Sequence, residues 1–339
     1  MKKILAIMLS AMMLLALSAC GTSASTSTAA STASSVAQQI EQMTGKPAAD
    51  CKIGIIQLAE HVALDAARDG FIDKLVENGY SESNIDVQNA QGEIANCATI
   101  ATKFVNDKVD LILAIATPAA QAAAQATTDI PILCTAVTDF VGAGLVNDND
   151  APGGNVSGTS DMNPIDQQVD LLMQLCPDAK TVGIMYCSAE DNSKIQAELA
   201  QTAMEAKGLK VNIYTAADVN DIQAVTTKAS GEIDALYIPT DNLFAANIPT
   251  VSLVTEPAKL PVICGESGMV DEGGTATYGI SYYNLGQMAG TQCVDILQNG
   301  ADVAATPVGF AAADDLELTI NEENAAAIGL EIPASLKIA

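Results

Sequence analysis

Lys52-Ile53-Gly54-Ile55-Ile56-Gln57-Leu58-Ala59-Glu60 and Thr181-Val182-Gly183-Ile184-Met185-Tyr186-Cys187-Ser188-Ala189-Glu190 share one pattern: an apolar run with glycine at the same point, ending in a polar turn before a helical stretch. The likeness continues downstream. The run from Asp110 to Pro118 pairs with that from Asp234 to Asp241, and Ile130–Cys134 with Leu260–Cys264, each about 125 to 130 residues apart. Helical spacing fills the gaps: Val62 to Glu77 before Gly79, Glu93 to Asn106, and Gln196 to Lys207 before Gly208. Apolar strands alternating with helices of this length make βαβ crossovers and parallel sheets covered on both faces. The fold class is therefore α/β, with two Rossmann-like lobes of parallel sheet around a central cleft.

Glycine- and proline-rich stretches mark the crossings. Ala151-Pro152-Gly153-Gly154-Asn155 is the expected first crossing, Ala276 to Ser281 the return, and Thr306 to Gly309 a third. This divides the chain into lobe 1 at 51–154, completed by about 281–305, lobe 2 at 155–280, and a third crossing with a C-terminal segment at 306–339. Ligands of open α/β sheets bind outside the carboxyl ends of the strands, so two facing lobes share one site and can close on it by bending.

Lys2 and Lys3 precede an apolar run from Ile4 to Leu17, and Leu17-Ser18-Ala19-Cys20 follows. Charge, apolar run and small residues make an export signal too short to span a bilayer. Leu-Ser-Ala-Cys resembles the bacterial lipobox, which implies a signal peptide at 1–19 and lipid on Cys20. Residues 21–35 are nearly all Ser, Thr or Ala, a composition that cannot bury a core, so 20–50 reads as a lipid-anchored Cys and a flexible tether. The expected location is extracytoplasmic, anchored to the cell membrane, with the domain starting near Cys51 and acting as a monomer.

Composition excludes more than it proposes. The 339 residues carry 15 Lys+Arg against 41 Asp+Glu, a net charge of −26, with one arginine, Arg68, and one histidine, His61. Nucleic-acid binding, which needs a cationic face, is excluded. Zinc sites of several imidazoles are excluded too, and nothing identifies a nucleophile for His61 to activate, so neither an enzyme, a metal site nor a cofactor is expected. Cys20 aside, seven cysteines remain with no Cys-x-x-Cys spacing; they read as small buried hydrophobes and free thiols.

Several separated motifs resemble one family. Gln57-Leu-Ala-Glu60-His61-Val-Ala-Leu-Asp65-Ala-Ala-Arg68-Asp-Gly70-Phe71, Asn89-Ala-Gln91-Gly92, Ile115-Ala-Thr117-Pro118-Ala-Ala-Gln121, Thr135-Ala-Val-Thr138-Asp139, Pro152-Gly-Gly-Asn155-Val-Ser157-Gly158 and Tyr282-Tyr283-Asn-Leu285-Gly286 resemble the substrate-binding lipoproteins of tryptophan/tyrosine-type ABC importers. The resemblance implies a type I periplasmic-binding-protein fold with a multi-strand hinge, an amino acid ligand, commonly aromatic, and ABC permease subunits as partners. A ligand-sensing role feeding a membrane receptor or kinase, or another small solute, stays open. The family pattern has proline after the Thr-Asp pair where this chain has Phe140, and Asp before the paired tyrosines where it has Ser281. If Ser281 faces the cleft, one carboxylate for an ammonium is missing.

With one arginine in the chain, a ligand carboxylate must be met by helix N-termini and hydroxyls. Thr117-Pro118-Ala119 suits that task, with Thr138 at the next strand end. Glu60, Asp139, Asp241 and Glu266 fall at strand ends as acceptors for an ammonium or as caps. From the second lobe come Ser188, Asn192 and Asn242. An apolar side chain would meet Tyr282, Phe140, Phe244 or Tyr186, unless these pack in the lobes. His61 reads as a cleft contact or a packing residue, and Arg68 as the partner of Asp65 and Asp69.

Overall fold

The computed structural model describes residues 46–312 and 315–336. The expected signal peptide and Cys20 lie outside the described residues. The described residues before Cys51 already pack on the domain: Lys46 pairs with Asp110 at 2.6 Å, its carbonyl accepts from Gln298, and a short turn at Ala48–Asp50 follows.

In chain order the first half runs β1 (Ile53–Gln57), α1 (Val62–Glu77), β2 (Ile85–Asn89), α2 (Ile94–Asp107), β3 (Leu111–Ile115), α3 (Thr117–Ala126), β4 (Ile132–Val137) and β5 (Val156–Ser160). The second half runs α4 (Ile165–Leu175), β6 (Thr181–Cys187), α5 (Asp191–Ala206), β7 (Lys210–Ala216), α6 (Val219–Ser230), β8 (Ala235–Ile238), α7 (Asn242–Ala245), α8 (Ile248–Thr255), β9 (Val262–Cys264), α9 (Ser267–Asp271) and β10 (Ala276–Gly279). Then follow α10 (Tyr282–Asn299), β11 (Gly309–Phe310), β12 (Glu317–Ile320) and α11 (Glu322–Ile328).

The two sheets have the orders β11-β5-β4-β3-β1-β2 and β12-β10-β9-β8-β6-β7, the same path walked twice. Every pairing is parallel except that of β12, which runs antiparallel to β10. β1, β3 and β4 are buried along their whole length, as continuous apolar strands between two helical layers must be. The glycine shared by the two copies has a packing reason. A Cβ on Gly54 would come within 2.6 Å of the Phe104 ring, and one on Gly183 within 2.6 Å of Ile233, so in each lobe the strand leaves room for a large side chain from the covering layer.

Two crossings fall later than glycine and proline suggest. β5 pairs with β4 inside the first sheet, so the chain leaves that lobe after Ser160 and not at Ala151–Asn155; the Pro-Gly-Gly stretch is the turn before a last strand. The return lies at Ile280–Ser281, between β10 of the second sheet and α10, which packs against α1. β11 still pairs with β5, so the third crossing lies between Phe310 and Glu317, beyond Thr306–Gly309. The seven cysteines among the described residues are all unpaired, and all but Cys176 are buried.

Candidate functional site

In both sheets the order reverses beside the first strand of the repeat, β1 in one and β6 in the other, and the loops leaving adjacent strands there part to opposite faces. The register lines up the carboxyl ends: Ile115 pairs with both Gln57 and Thr135, and Ile238 pairs with Cys264. Side chains one to four residues beyond these ends therefore meet between the lobes.

They enclose a cavity closed down to about 10 Å³, room for one water. His61, Leu64, Ala136, Asp161 and Tyr282 line it from the first lobe and the crossings, and Asn192, Thr240, Asp241, Asn242, Ala245 and Glu266 from the second. The lobes touch through polar side chains: Gln196 Nε2 donates to Thr138 Oγ1 at 3.0 Å, Gln121 Nε2 to Asp191 at 3.1 Å, and His61 Nε2 lies 3.4 Å from Asn242 Oδ1.

Four buried carboxyls surround this space, and no Lys or Arg lines it. Asp161 accepts from Thr138 Oγ1 at 2.9 Å and Tyr282 Oη at 2.8 Å. Asp241 accepts from the backbone N–H groups of Cys187 and Phe244, and Glu266 from those of Gly268 and Met269, so each caps a short helix while facing the cavity. Glu190 accepts from the N–H groups of Asn242 and Leu243 and from the Asn242 amide. Burial pushes Asp241 and Glu266 up to about 7 and raises Asp161 and Glu190 as well, because an ionised carboxylate loses hydration that a few hydrogen bonds only partly replace. A cation placed among them would restore the charged forms. Among the described residues no group of three or more His, Cys, Asp or Glu is disposed to hold a metal ion.

Two alanines at the cleft edge carry left-handed backbone. Ala116, between β3 and α3, has φ 83°, and Ala136, at a register shift near the end of β4, has φ 55°. Such positions cost of order 1–3 kcal/mol each and persist where surrounding structure demands them. α3 starts without a side-chain cap, and the buried Thr117 hydroxyl in its first turn has no partner.

Of the residues expected from sequence, Asn192, Asp241, Asn242, Glu266 and Tyr282 meet at the cavity, with Thr138 one hydrogen bond behind it. Thr117 and Ala119 are buried at the same sheet edge but do not line it. Three of the expected residues lie away from this cavity. Glu60 is exposed at the outer mouth, because the turn after β1 carries it past the cavity and leaves His61 to face inward. Asp139 holds its own turn by accepting from Gly142 N–H, and Ser188 lies exposed on a turn bonded to the Ala216 carbonyl. Phe140 and Phe244 are fully enclosed in the lobe cores, and Tyr186 packs against the second core. Arg68 binds Asp65, Asp69 and Gln57.

Sequence reasoning missed Asp161, Glu190, Gln196 and Ala136. Asp161 was hidden by the misplaced crossing; once Val156–Ser160 is a strand, Asp161 is a strand-end acid like the others. Glu190 had a visible signal, since it stands immediately before a helix at the place His61 holds in the other copy.

Residues 52–339 match the family described as ABC transporter substrate binding protein. The chain is 45% identical over 285 residues to a protein of Clostridioides difficile named tyrosine-binding protein, covering 82% of this chain and 81% of the other. It is similar to a Streptococcus pneumoniae structure in complex with L-Trp, at 39% identity and TM-score 0.81, covering 84% and 97% of the two chains. A Clostridium difficile substrate binding protein in its ligand-free, open structure is 46% identical with a TM-score of 0.64, covering 84% and 96%. The more identical sequence superposes less well, the pattern expected when lobes of equal fold stand at different angles.

Proposed function

The chain belongs to the ABC transporter substrate binding protein family, whose members bind a solute outside the cytoplasm and do no chemistry on it, and from that premise we propose that the solute is an aromatic amino acid held between the closing lobes. The observation that carries this reading is the cavity itself: buried carboxyls from the crossing and the second lobe, with no cationic side chain among them. That environment favours a ligand that brings its own positive charge.

The ammonium is assigned to Asp161, Asp241 and Glu266, which face the cavity from the crossing and the second lobe. The carboxylate is assigned to the uncapped start of α3, where free N–H groups and the partnerless Thr117 hydroxyl can donate. Tyr282, Leu64 and Ala245 supply apolar surface for a ring. A cavity of about 10 Å³ admits no amino acid, so the ligand enters with the lobes apart and closes them around itself. Names and complexes of the relatives, tyrosine in one and L-Trp in another, agree with this class.

Ser281 does not alter the scheme. Its hydroxyl accepts from Asn284 N–H and caps α10, outside the cavity. Anchoring through a lipid on Cys20, action as a monomer and hand-over to a permease complete the proposal.

Calorimetry over the twenty amino acids, nucleosides and small sugars tests it. The chain has no Trp, so bound tryptophan can also be followed by its own fluorescence. Binding of an aromatic amino acid, weakened at least tenfold by Asp161→Asn, is expected on the charge-assisted scale of about 1.5–3 kcal/mol. A sugar or nucleoside binding with no amino acid response would sink the ligand class. Mass measurement of the membrane-extracted protein, with and without Cys20→Ala, tests the lipid.

A further inference from the structure

His61 is the one cavity-lining side chain whose hydrogen-bonding sense is fixed from across the cleft. Both oxygens of the buried Glu190 carboxyl already accept backbone N–H groups, those of Asn242 and Leu243, and the Asn242 amide nitrogen donates to it as well. That contact leaves Asn242 Oδ1, the acceptor end, turned toward His61 Nε2 at 3.4 Å. Nε2 must therefore carry the hydrogen. Burial lowers the His61 pKa to about 4, so the ring is neutral near pH 7 and has one N–H only. Nδ1 is then a bare lone pair, buried and without a partner in the protein. A buried acceptor left unpaired is costly, and this one borders the cavity where the ligand is assigned.

Resting on the amino acid reading above, we propose that His61 Nδ1 accepts a hydrogen bond from a donor on the ligand's side chain, an indole N–H or a phenol O–H, and that Glu190 and Asn242 set the tautomer that makes it an acceptor. The ligand's ammonium is left to Asp161, Asp241 and Glu266, whose negative charge attracts it more strongly than a neutral imidazole. Because Glu190 and Asn242 belong to the second lobe and His61 to the first, the reader is assembled only as the lobes meet. A ligand of the same shape lacking the donor leaves Nδ1 unpaired, which is how a site rejects an analogue without steric exclusion.

The test is calorimetric affinity for two matched pairs, L-tyrosine against L-phenylalanine and L-tryptophan against 1-methyl-L-tryptophan, in wild type, His61→Phe and His61→Asn. The two pairs separate a phenol reader from an indole reader. In wild type the member with the donor should bind about ten- to a hundred-fold tighter in at least one pair. His61→Phe should bring that ratio to within about threefold, and His61→Asn, whose amide oxygen can stand where Nδ1 stood, should recover part of it. Asn242→Leu, which frees the tautomer from across the cleft, should also lower the ratio and serves if the His61 variants fail to fold. A ratio unchanged in His61→Phe, or equal weakening of all four ligands, overturns the inference alone. Binding of none of the four overturns the amino acid reading and this inference with it.

Discussion

Gln196 Nε2, on the second lobe, donates to Thr138 Oγ1, on the first, at 3.0 Å, and both side chains are buried. The Thr138 hydroxyl in turn donates to Asp161 at the crossing, which also accepts from Tyr282. One chain of hydrogen bonds therefore runs from lobe to lobe through the hinge to the cavity wall. When the lobes part, the Gln196–Thr138 bond is lost, while the bonds of the same amide to the Thr240 backbone stay within the second lobe, so the first counts toward the closed state only. Gln196→Ala should weaken ligand binding about two- to tenfold, the scale of one net hydrogen bond. The loss should fall on the dissociation rate, with association nearly unchanged. Stopped-flow tryptophan fluorescence separates the two rates; a slowed association with normal dissociation would place Gln196 on the entry path instead.

The buried carboxyls make a pH prediction whose sign differs from ordinary acid denaturation. Asp241 and Glu266 are pushed up to about 7 by burial, and Asp161 and Glu190 move the same way. Between about pH 4.5 and 7 the folded state holds protons that the unfolded chain has released, so stability falls as pH rises. His61 opposes this. Its pKa is lowered to about 4, so its contribution is present above 6.5 and is lost as pH falls toward 4. Four raised carboxyls outweigh one lowered imidazole, and the unfolding free energy of ligand-free protein should drop by about 1–3 kcal/mol from pH 5 to pH 7.5. A saturating ammonium-bearing ligand should flatten the slope by favouring the ionised forms. Urea midpoints across this range decide it; stability rising from pH 5 to 7.5 without ligand contradicts the carboxyl argument.

The repeat made the fold legible, because paired apolar strands with glycine at one position and helices between them leave little choice but two similar parallel sheets. Helix α1 is placed by periodicity at Val62 to Glu77, as observed. The first crossing was misplaced because glycine and proline mark a turn without saying whether a strand follows it in the same sheet. Val156-Ser157-Gly158-Thr159-Ser160 hid its strand character behind polar residues, all of them buried. Its Gly158 adopts φ 145° against the Cys134 backbone, a close approach that composition does not reveal. At the site, strand-end position found Asp241 and Glu266, but which of Glu60 and His61 turns inward depends on the exact path of one loop. That is a matter of one residue, and sequence periodicity does not resolve it.

Helices α1 and α10 meet backbone to backbone, which makes a glycine prediction sharp. A Cβ on Gly286 would lie 2.0 Å from the Ala67 carbonyl oxygen, and one on Gly70 2.1 Å from that of Tyr283. Neither obstacle is a side chain that can rotate away, so the helices must separate. Gly286→Ala should destabilise by about 2–4 kcal/mol, at the upper end of overpacking costs. It should also weaken ligand binding, because α10 begins at Tyr282 in the cavity wall. Gly154→Ala is the control, with nothing within 4 Å of its Cβ and no left-handed backbone, and should leave stability unchanged. Thermal melts of the pair suffice; equal melting temperatures would mean the helices slide apart at little cost.

Ser281 tests whether the family departure concerns the ligand or the helix. Its hydroxyl accepts from Asn284 N–H at 3.3 Å at the start of α10, and it borders the pocket on the hinge side of the cleft, not the cavity that Tyr282 enters. A serine cap contributes about 1 kcal/mol, so Ser281→Ala should lower stability by roughly that amount. Ser281→Asp should keep the cap and add a favourable charge at the positive end of the helix, matching or slightly exceeding wild type. Neither variant should change affinity for the amino acid more than about threefold, since the lost or added group lies outside the first ring of contacts and is partly screened by solvent. Affinity raised tenfold or more by Ser281→Asp would show that the side chain reaches the ligand's ammonium, and would move the missing carboxylate of this chain from the helix cap into the binding site.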